Sequence, residues 1–421
     1  MKKNLIYLFV SFIILSCAQK KTSKENTSFA QFESLNDSLT VDLKTLYEQG
    51  GIKGFSVAIV NQDTILYEKG FGFSDVGKKI AHTEHTVQNI ASVSKTLIGV
   101  ALLKAQEMGK LKLEDPVNKY LPFEVYNPYY PEDSITIKHL ATHTSAIQDS
   151  DLYSEKSYIV KNADELELAK SIPSSEEFNA PDSAMPLEDF LKNFLSEGEA
   201  WYQKGNYLNK RPGALYEYTN VGATLAAYII EVSTGKTYAE FTKEHILSPL
   251  KMTSSGWTYD DIDMSKYTKL YTVDGKEIPY YTLVTYPDGG LMTSMADMGK
   301  YLSELIRGYS GEGKLLSKES YAQIFSELLS EDNFEEERDT DRNFDDEYNS
   351  GLFIGYTPIG YIGHMGGDPG VSTFMFFNPK TKIGKLLFVN TDLDQKGADQ
   401  FYEVWDKLGE YEVRLDQSFP E

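Results

Sequence analysis

The segment that most restricts the fold is an apolar helix pattern that follows Ser92. From Leu97 to Met108 the residues are apolar nearly all round, whereas a surface helix carries a single apolar stripe. Gly109 is placed to end this helix. A helix of this kind needs packing partners on every side, so the chain must fold into layers that enclose it.

Strand patterns occur near both ends of the chain. Apolar runs at Phe55–Val60 and Thr64–Phe71, separated by Asn-Gln-Asp, indicate a β-hairpin. Short apolar runs at Leu352–Gly355, Ser372–Phe377 and Lys385–Asn390 indicate further strands. We therefore predict one sheet that is assembled from both chain ends.

Helix patterns account for much of the remainder. Phe29–Gln49 and Gln400–Leu415 are predicted helices at the two ends, and Val221–Val232 is a strongly apolar helix that Gly235 should end. The stretch Ser330–Glu347 is rich in acidic residues and is predicted to be a solvated loop without chemistry. We expect the residues between about 91 and 345 to form a second, mainly helical lobe, with a ligand cleft between the lobes.

A serine and a lysine at the start of the apolar helix form a candidate catalytic pair. Ser92 and Lys95 are three residues apart and so share one helix face, whereas Ser94 faces away. A lysine can take the proton of a serine if its pKa is lowered by burial. We expect Ser92 to stand at the helix N-terminus, where serine is also a favoured cap. The same Ser-x-x-Lys spacing occurs elsewhere, in the pairs Ser233/Lys236 and Ser248/Lys251, but neither opens a long buried helix.

Two further polar motifs accompany this pair. Tyr218-Thr219-Asn220 directly precedes the apolar helix from Val221, and a tyrosine can act as a base when cations lower its pKa. Tyr207-x-Asn209 has the same spacing but lies in a polar stretch without such support. The other motif is His364-Met365-Gly366-Gly367, where glycines beside a strand allow a substrate backbone to approach.

Together these motifs resemble those of the serine β-lactamase and penicillin-recognising hydrolase superfamily, and specifically its class C-like branch. That family carries Ser-x-x-Lys, Tyr-x-Asn and then Lys-Thr-Gly or His-x-Gly in this order. The segments 135–145 and 289–297 also look like family segments, and the resemblance covers roughly residues 35–395. It implies an α+β fold: an antiparallel sheet flanked by helices, plus the helical lobe.

The resemblance also implies a role for each motif residue. Ser92 would be the acylated nucleophile and Lys95 its proton acceptor, and Tyr218 would exchange protons with the leaving group and water. The substrate would be held by Asn220 and by a wall made of His364, Gly366 and Gly367. The backbone N–H groups of Ser92 and Gly367 would form the oxyanion hole. Whether Lys95 or Tyr218 is the primary base stays open.

Three functions remain open at this point. The first is a serine hydrolase acting on an ester, amide or peptide; the second is a D-alanyl-D-alanine carboxypeptidase or class C-type β-lactamase. His364 stands where many β-lactamases have lysine, which favours the first over the second. The third is a catalytically silent lipoprotein that binds peptidoglycan or a partner. The tyrosine-bearing, acidic segment Ala146–Arg211 is predicted to shape the substrate pocket.

The N-terminus predicts export and lipid anchoring. Two lysines precede an apolar run that is too short to span a bilayer and that ends in Ile14-Leu15-Ser16-Cys17, which resembles a bacterial lipobox. Cys17 is the only cysteine of the chain, so an intramolecular disulfide is excluded. We predict a signal peptide over residues 1–16, a flexible tether over 17–28, and a hydrolase domain over 29–421. Its α/β lobe would span about 29–90 and 350–415.

Charge and motif content limit the partners. The net charge is −22 at pH 7, which disfavours binding to nucleic acid. The sequence contains no metal-ligand cluster and no phosphate-binding loop, so we predict no metal and no cofactor. The predicted partners are a small-molecule or peptide substrate and, through Cys17, a membrane of the bacterial cell envelope; the sequence does not indicate an oligomeric state.

Overall fold

The structure is a computed structural model that describes residues 29–174, 176–335, 338, 340–341 and 343–420. The predicted signal peptide, the tether and Cys17 lie outside these residues. Among the helices of the described ranges, none combines the length and the apolar character that crossing a membrane requires.

The described strands and helices alternate along the chain. The strands are β1 Gly54–Asn61, β2 Ile65–Asp75, β3 Ile80–Ala81, β4 Val87–Asn89, β5 Tyr158–Val160, β6 Phe178–Asn179, β7 Leu270–Tyr271, β8 Glu277–Ile278, β9 Tyr281–Leu283, β10 Met292–Ser294, β11 Asn349–Ser350, β12 Gly355–Tyr356, β13 Ile362–Asp368, β14 Val371–Asn378 and β15 Ile383–Val389. The helices are α1 over 29–48, α2 Lys95–Glu107, α3 Ile137–Ala141, α4 Asp151–Ser157, α5 Leu166–Lys170, α6 Leu187–Leu195, α7 Asn220–Thr234, α8 Tyr238–Thr242, α9 Met295–Tyr309, α10 Lys318–Ile324 and α11 Gln395–Ser418.

Eight strands form the main sheet, in the order β11-β12-β13-β14-β15-β1-β2-β3. All neighbouring strands pair antiparallel. In the central pair, Val57 of β1 lies opposite Leu387 of β15, so the sheet joins the two ends of the chain. The predicted antiparallel sheet and the predicted hairpin are confirmed.

Alternation along β1 places apolar side chains on both faces of the sheet. Val57 and Ile59 pack with Trp405 of α11 and with α1, while Ala58 and Val60 belong to the larger core on the opposite face, which includes α9. A strand that is buried on both faces fits the middle of a layered α+β fold. The predicted fold class is therefore confirmed.

Helix α2 forms the centre of the helical lobe. Ten of its thirteen residues are buried, and it packs mainly against α7. At Gly99 a β-carbon would lie 2.3 Å from the Leu352 carbonyl oxygen, so this glycine allows the chain near residue 352 to approach α2 closely. The fully buried helix that the sequence predicts is present, and Gly109 follows it at a φ of +69°.

Three of the sequence expectations for these regions are wrong in part. The first three residues of the run Leu352–Gly355 do not form a strand. The N–H of Leu352 donates to the Ile324 carbonyl and that of Phe353 to the Ala141 carbonyl, so neither pairs with a neighbouring strand. The expected helical lobe also contains short strands, including the set β6-β5-β9. The third concerns the acidic stretch Ser330–Glu347, in which Asp346 is buried, as described below.

Candidate active site

Ser92 lies in a tight turn and not at an α-helix N-cap. Residues Ala91–Ser94 form a 3₁₀ turn that leads directly into α2, and neither flanking cap position makes a side-chain capping bond. Ala91 has a φ of +48°, which is unusual for a residue with a side chain. The expected capping role of Ser92 is wrong, and its hydroxyl is free to face Lys95.

Lys95 is the buried amine of the site. Its side chain has no solvent exposure, and its Nζ lies 3.1 Å from Ser92 Oγ, 2.6 Å from Asn220 Oδ1 and 2.8 Å from the Asp288 carbonyl oxygen. Burial lowers the pKa of Lys95, against the opposing effect of nearby carboxylates led by Asp288. A neutral amine would donate to Asn220 and Asp288 and keep its lone pair for the Ser92 proton.

Asn220 is held by the N-terminus of α7 and by Asp149. The Asp149 carboxylate accepts hydrogen bonds from Asn220 N at 2.8 Å, Val221 N at 3.1 Å and the Thr219 hydroxyl at 2.8 Å. A carboxylate in this position pairs with the free N–H groups and the positive end of the helix dipole. Asp149 therefore fixes the helix end from which Asn220 reaches Lys95.

Tyr218 stands on the other side of the lysine. Lys95 Nζ lies 5.0 Å from the centroid of its ring, and the ring stacks on His143 at a centroid distance of 4.6 Å. The Tyr218 hydroxyl is buried and makes no hydrogen bond of ordinary geometry with the described residues. Burial raises the pKa of Tyr218, and the neighbouring Ser92 hydroxyl opposes that rise, so the resting side chain is a neutral phenol.

His143 has a positioning contact that the sequence did not suggest. Its Nδ1 accepts a hydrogen bond from the Thr219 backbone N–H at 3.2 Å. Burial lowers the pKa of His143 well below its usual value, and the charge of Lys95 lowers it further. The ring is therefore neutral and holds the Tyr218 loop through stacking and one backbone bond.

Strand β13 forms the opposite wall. His364 is buried, its Nδ1 lies 2.6 Å from the Met365 carbonyl oxygen and 3.0 Å from Asp346 Oδ2, and its ring centroid is 6.1 Å from that of Tyr218. Burial lowers the pKa of His364 to about 3, with a contribution from Lys95, so the ring is neutral with its proton on Nδ1. Asp346 belongs to the acidic stretch that was expected to be solvated. That expectation is wrong at this end, because Asp346 contacts His364 and accepts from Met365 N at 2.8 Å.

The glycines of β13 bring this wall against the serine. At Gly366 a β-carbon would lie 3.0 Å from Ser92 N and 2.6 Å from the Ile90 carbonyl oxygen, whereas at Gly367 it would meet nothing within 4 Å. Gly366 is therefore a point of close backbone approach, and Gly367 borders open space. Ser92 and Gly367 both line the same cleft.

The cleft has a volume of about 320 Å³ and opens over Ser92. Its lining residues are Ser92, Asp149, Ser150, Asp151, Tyr153, Ser154, Tyr158, Glu176, Asn220, Asp288, Gly289, Gly367 and Asp368. Seven of these, from Asp149 to Glu176, belong to the segment Ala146–Arg211. The prediction that this segment shapes the pocket is confirmed.

Asp288 is another residue of the site that sequence reasoning missed. Its carboxylate accepts from the Tyr153 hydroxyl at 3.1 Å and from the Thr224 hydroxyl at 2.9 Å, while its backbone carbonyl accepts from Lys95. Burial raises the pKa of Asp288 to about 6, and the charge of Lys95 opposes the rise. Among the described residues, no group of three or more His, Cys, Asp or Glu is arranged to hold a metal ion.

The competing motif matches have structural roles. Ser94 is fully buried and its hydroxyl accepts from Leu291 N at 3.2 Å. Tyr207 is also buried, with its hydroxyl donating to the Leu195 carbonyl at 2.7 Å, so the expectation that it lacks rigid support is wrong. Ser233 bonds back to Ile230 inside α7. The structure brings Ser92, and not these residues, next to a buried lysine.

Comparison with known proteins places the chain in a family. The family model described as Beta-lactamase matches residues 39–408. The chain belongs to the Beta-lactamase family. The match covers most of the chain, including the Ser92, Tyr218 and His364 motifs, so these residues lie within the part that the family shares.

A similar protein from Staphylococcus aureus is distant from this chain in sequence. The Protein flp of Staphylococcus aureus strain MW2 is 26% identical over 352 residues, which is 82% of this chain and 60% of that protein. This chain therefore spans less than two thirds of the length of that relative.

Solved structures show the same fold. The octameric penicillin-binding protein homologue from Pyrococcus abyssi has a TM-score of 0.65 and 22% identity, covering 90% of this chain and 77% of that chain. The beta-lactamase/D-alanine carboxypeptidase from Yersinia pestis has a TM-score of 0.62 and 19% identity, covering 88% of this chain and 99% of that chain.

Proposed function

We propose that this chain is a serine hydrolase that cleaves an ester, amide or peptide through an acyl-enzyme on Ser92. The observation that carries the proposal is the contact of 3.1 Å between Lys95 Nζ and Ser92 Oγ at the base of the cleft. A serine hydroxyl becomes a useful nucleophile when a nearby base can take its proton. Membership of the Beta-lactamase family supports the same chemistry.

The acylation step follows from the contacts of Lys95. Ser92 Oγ attacks the substrate carbonyl carbon, its proton moves to Lys95 Nζ, and the carbonyl oxygen becomes an oxyanion near the N–H groups of Ser92 and Gly367. Lys95 is the available proton acceptor, because burial favours its neutral amine, whereas burial keeps Tyr218 a protonated phenol that has no free base form to offer. Asn220 and the Asp288 carbonyl orient the amine for this transfer.

Collapse of the oxyanion breaks the bond to the leaving group and restores the carbonyl. The leaving group takes a proton from the Tyr218 hydroxyl, which is replenished from Lys95, so the phenol relays one proton without a net change. Water then attacks the acyl carbon and gives up one proton to the same groups; the bond from the acyl carbon to Ser92 Oγ breaks, Ser92 Oγ takes that proton back, and the acid product leaves. In this scheme His364 shapes the wall beside Tyr218 and carries no charge.

A second candidate is a D-alanyl-D-alanine carboxypeptidase or a β-lactamase. It is favoured by the fold likeness to the Yersinia pestis beta-lactamase/D-alanine carboxypeptidase. Both activities act on substrates with a carboxylate, and no lysine or arginine is among the residues that line the described cleft. The acidic lining therefore favours the first candidate.

One panel of substrates separates these candidates. The purified full chain is incubated with a fluorophosphonate probe, p-nitrophenyl acetate, a chromogenic cephalosporin and a D-alanyl-D-alanine peptide. We expect labelling and ester turnover that are lost in Ser92→Ala and kept in Ser94→Ala, the matched control. Faster release from the cephalosporin or the peptide would favour the second candidate. An unlabelled Ser92 without turnover would support the silent binding protein instead.

We also propose that the protein is exported and anchored to a bacterial membrane through Cys17. The support is the lipobox-like Ile14-Leu15-Ser16-Cys17 at the end of an apolar run. Cell fractionation of the wild type and of Cys17→Ser tests this. Loss of the variant from the membrane fraction is the expected result, and its retention there would contradict the proposal.

A further inference from the structure

Acidic side chains dominate the charged residues that line the cleft over Ser92. Five of its lining residues are acidic, namely Asp149, Asp151, Glu176, Asp288 and Asp368, and no lysine, arginine or histidine lines it among the described residues. The buried Lys95 lies beneath the cleft and is already held by three oxygen acceptors. Charge of one sign in a cleft attracts ligands of the opposite sign.

Two of the acidic side chains are committed to the protein, and Asp368 differs from them. Asp149 binds the N-terminus of α7, and Asp288 accepts from two buried hydroxyls. Asp368 is only partly buried; it accepts from the Tyr158 hydroxyl at 2.8 Å and faces Asn89 Nδ2 at 3.5 Å. Both of these donors are neutral, and Asp368 forms no ion pair with a described residue.

Asp368 is also close to the reacting serine. The position that a β-carbon on Gly289 would occupy lies 3.7 Å from Asp368 Oδ2 and 3.8 Å from the carbonyl carbon of Ala91, the residue bonded to Ser92. Asp368 directly follows Gly367, which borders the open cleft. Ser92, Gly367 and Asp368 line the same cleft, so Asp368 borders the space in which a substrate bound at Ser92 would lie.

Two polar side-chain atoms near Asp368 accept or donate no hydrogen bond among the described residues. Asn89 is 4% exposed, yet its Oδ1 has no donor among the described residues, although its Nδ2 is directed at Asp368. The Ser150 hydroxyl, which lines the cleft, is likewise buried and unpartnered. Burial, together with the carboxylates of Asp288 and Glu176, raises the pKa of Asp368 to about 8, and the hydrogen bond from Tyr158 opposes the rise. Crowded carboxylates of this kind gain from a bound cation.

We propose that the cleft selects substrates with a free amino group on the acyl side of the bond that is cleaved, and that Asp368 binds the ammonium. This inference rests on the proposed function, because it concerns the substrate of the same Ser92 site. The chemical class is an aminoacyl ester, an aminoacyl amide or a peptide with a free N-terminus. Asp368 is the specificity residue, and substrates that carry an acyl-side carboxylate are disfavoured by the same charge.

A series of three matched substrates tests the proposal. Alanine p-nitroanilide, in both enantiomers, is compared with its N-acetyl and N-succinyl derivatives. The acyl-side group is positive in the free amine, neutral in the acetyl derivative and negative in the succinyl derivative. We expect kcat/KM for the free amine to exceed that of the acetyl derivative by at least about tenfold, the scale of one charged hydrogen bond. The succinyl derivative should be the slowest, and raising the salt concentration should reduce the differences.

Variants assign the preference to Asp368. In Asp368→Asn the preference for the free amine should fall about tenfold, while Asp368→Glu should retain part of it. Asp37→Asn is the matched control, because Asp37 is exposed on α1 and does not line the cleft; it should leave the preference unchanged. The substrate series on the unaltered protein decides the question if Asp368→Asn fails to fold.

Failure of this inference can be told from failure of the proposed function. Equal or faster turnover of the acetyl or succinyl substrate, with Ser92 labelled by the neutral fluorophosphonate, would overturn the amine preference alone. If Ser92 is neither labelled nor active, the proposed function fails. The change in melting temperature of Ser92→Ala on adding alanine amide or N-acetylalanine amide then still measures binding to the cleft. A larger shift with alanine amide would support the amine site, and an equal shift with both amides would overturn it as well.

Discussion

Replacing Asp149 with alanine should weaken both the fold and catalysis, for one structural reason. The carboxylate accepts three hydrogen bonds from the first residues of α7 and from the Thr219 hydroxyl, at 2.8 to 3.1 Å. Asp149 is partly exposed, so water can replace it, and each lost bond should cost about 1 kcal/mol. We expect Asp149→Ala to lower the free energy of unfolding by about 3 kcal/mol in urea denaturation followed by tryptophan fluorescence.

The catalytic loss should come from Asn220. Its Oδ1 holds Lys95 Nζ at 2.6 Å, and its backbone N–H is one of the groups that Asp149 binds. Disorder at this helix end removes one of the two contacts that aim the lysine at Ser92, a loss of about 1.5–3 kcal/mol for a bond to a charged group. The expected fall in kcat on p-nitrophenyl acetate, a neutral ester, is about 10- to 100-fold.

Asp394→Ala is the control for this prediction. Asp394 caps α11 by accepting from Gly397 N at 2.8 Å, far from the cleft lining. Its loss should cost about 1 kcal/mol of stability and leave kcat unchanged. The reasoning would be refuted if Asp149→Ala kept the wild-type kcat at a temperature where it is folded, or if both variants lost activity equally.

Three further predictions concern single groups of the site. Tyr218→Phe should reduce turnover of an anilide by about 10²- to 10³-fold. Turnover of a p-nitrophenyl ester should fall much less, because p-nitrophenoxide leaves without a proton. Equal losses with both substrates would contradict proton transfer through the Tyr218 hydroxyl. Gly366→Ala should abolish activity, since its β-carbon would lie 3.0 Å from Ser92 N, whereas Gly367→Ala should remain folded because its β-carbon meets nothing within 4 Å. Wild-type turnover by Gly366→Ala, or an unfolded circular dichroism spectrum of Gly367→Ala, would contradict these expectations. The pKa of Asp368 is raised from its ordinary 3.8 to about 8 in the folded chain, so the stability that its protonated form provides is complete below about pH 4 and is lost as the pH rises from there to about pH 8. From about pH 6 to about pH 8 the wild type should therefore lose about 1 kcal/mol more than Asp368→Asn, a value reduced because the carboxylate is partly exposed. Equal losses in denaturation would argue against a crowded carboxylate.

The sequence was a good guide where one local pattern decides the structure. The period of apolar residues sufficed for β1, β2, α2, α7 and α11, because these elements bury the faces that their patterns define. Ser92 and Lys95 were found together because three residues of helical chain bring side chains close. The spacing did not reveal the 3₁₀ turn at Ser92 or the positive φ of Ala91, which lie in a segment that packs against β13 from far along the chain.

The residues that were missed act over long sequence separations. Asp149 reaches the end of α7 about seventy positions later, and Asp346 contacts His364 from an acidic stretch that gives no local sign of burial. Leu352 and Phe353 have the apolar pattern of a strand, but their N–H groups bond to carbonyls of the helical lobe. A single sequence contains no signal for such pairings, because they depend on which elements meet in the folded chain.

The central claim is that the substrate's acyl group is transferred to Ser92 Oγ. The most direct measurement is peptide mass spectrometry of the full chain after rapid acid quenching with an aminoacyl p-nitrophenyl ester. We predict one acyl group, carried by the peptide that contains Ser92, absent in Ser92→Ala and present in Ser94→Ala. The account would be contradicted if the wild type turned over substrate without forming an adduct and Ser92→Ala kept the same activity. An adduct on Ser94 would also contradict it.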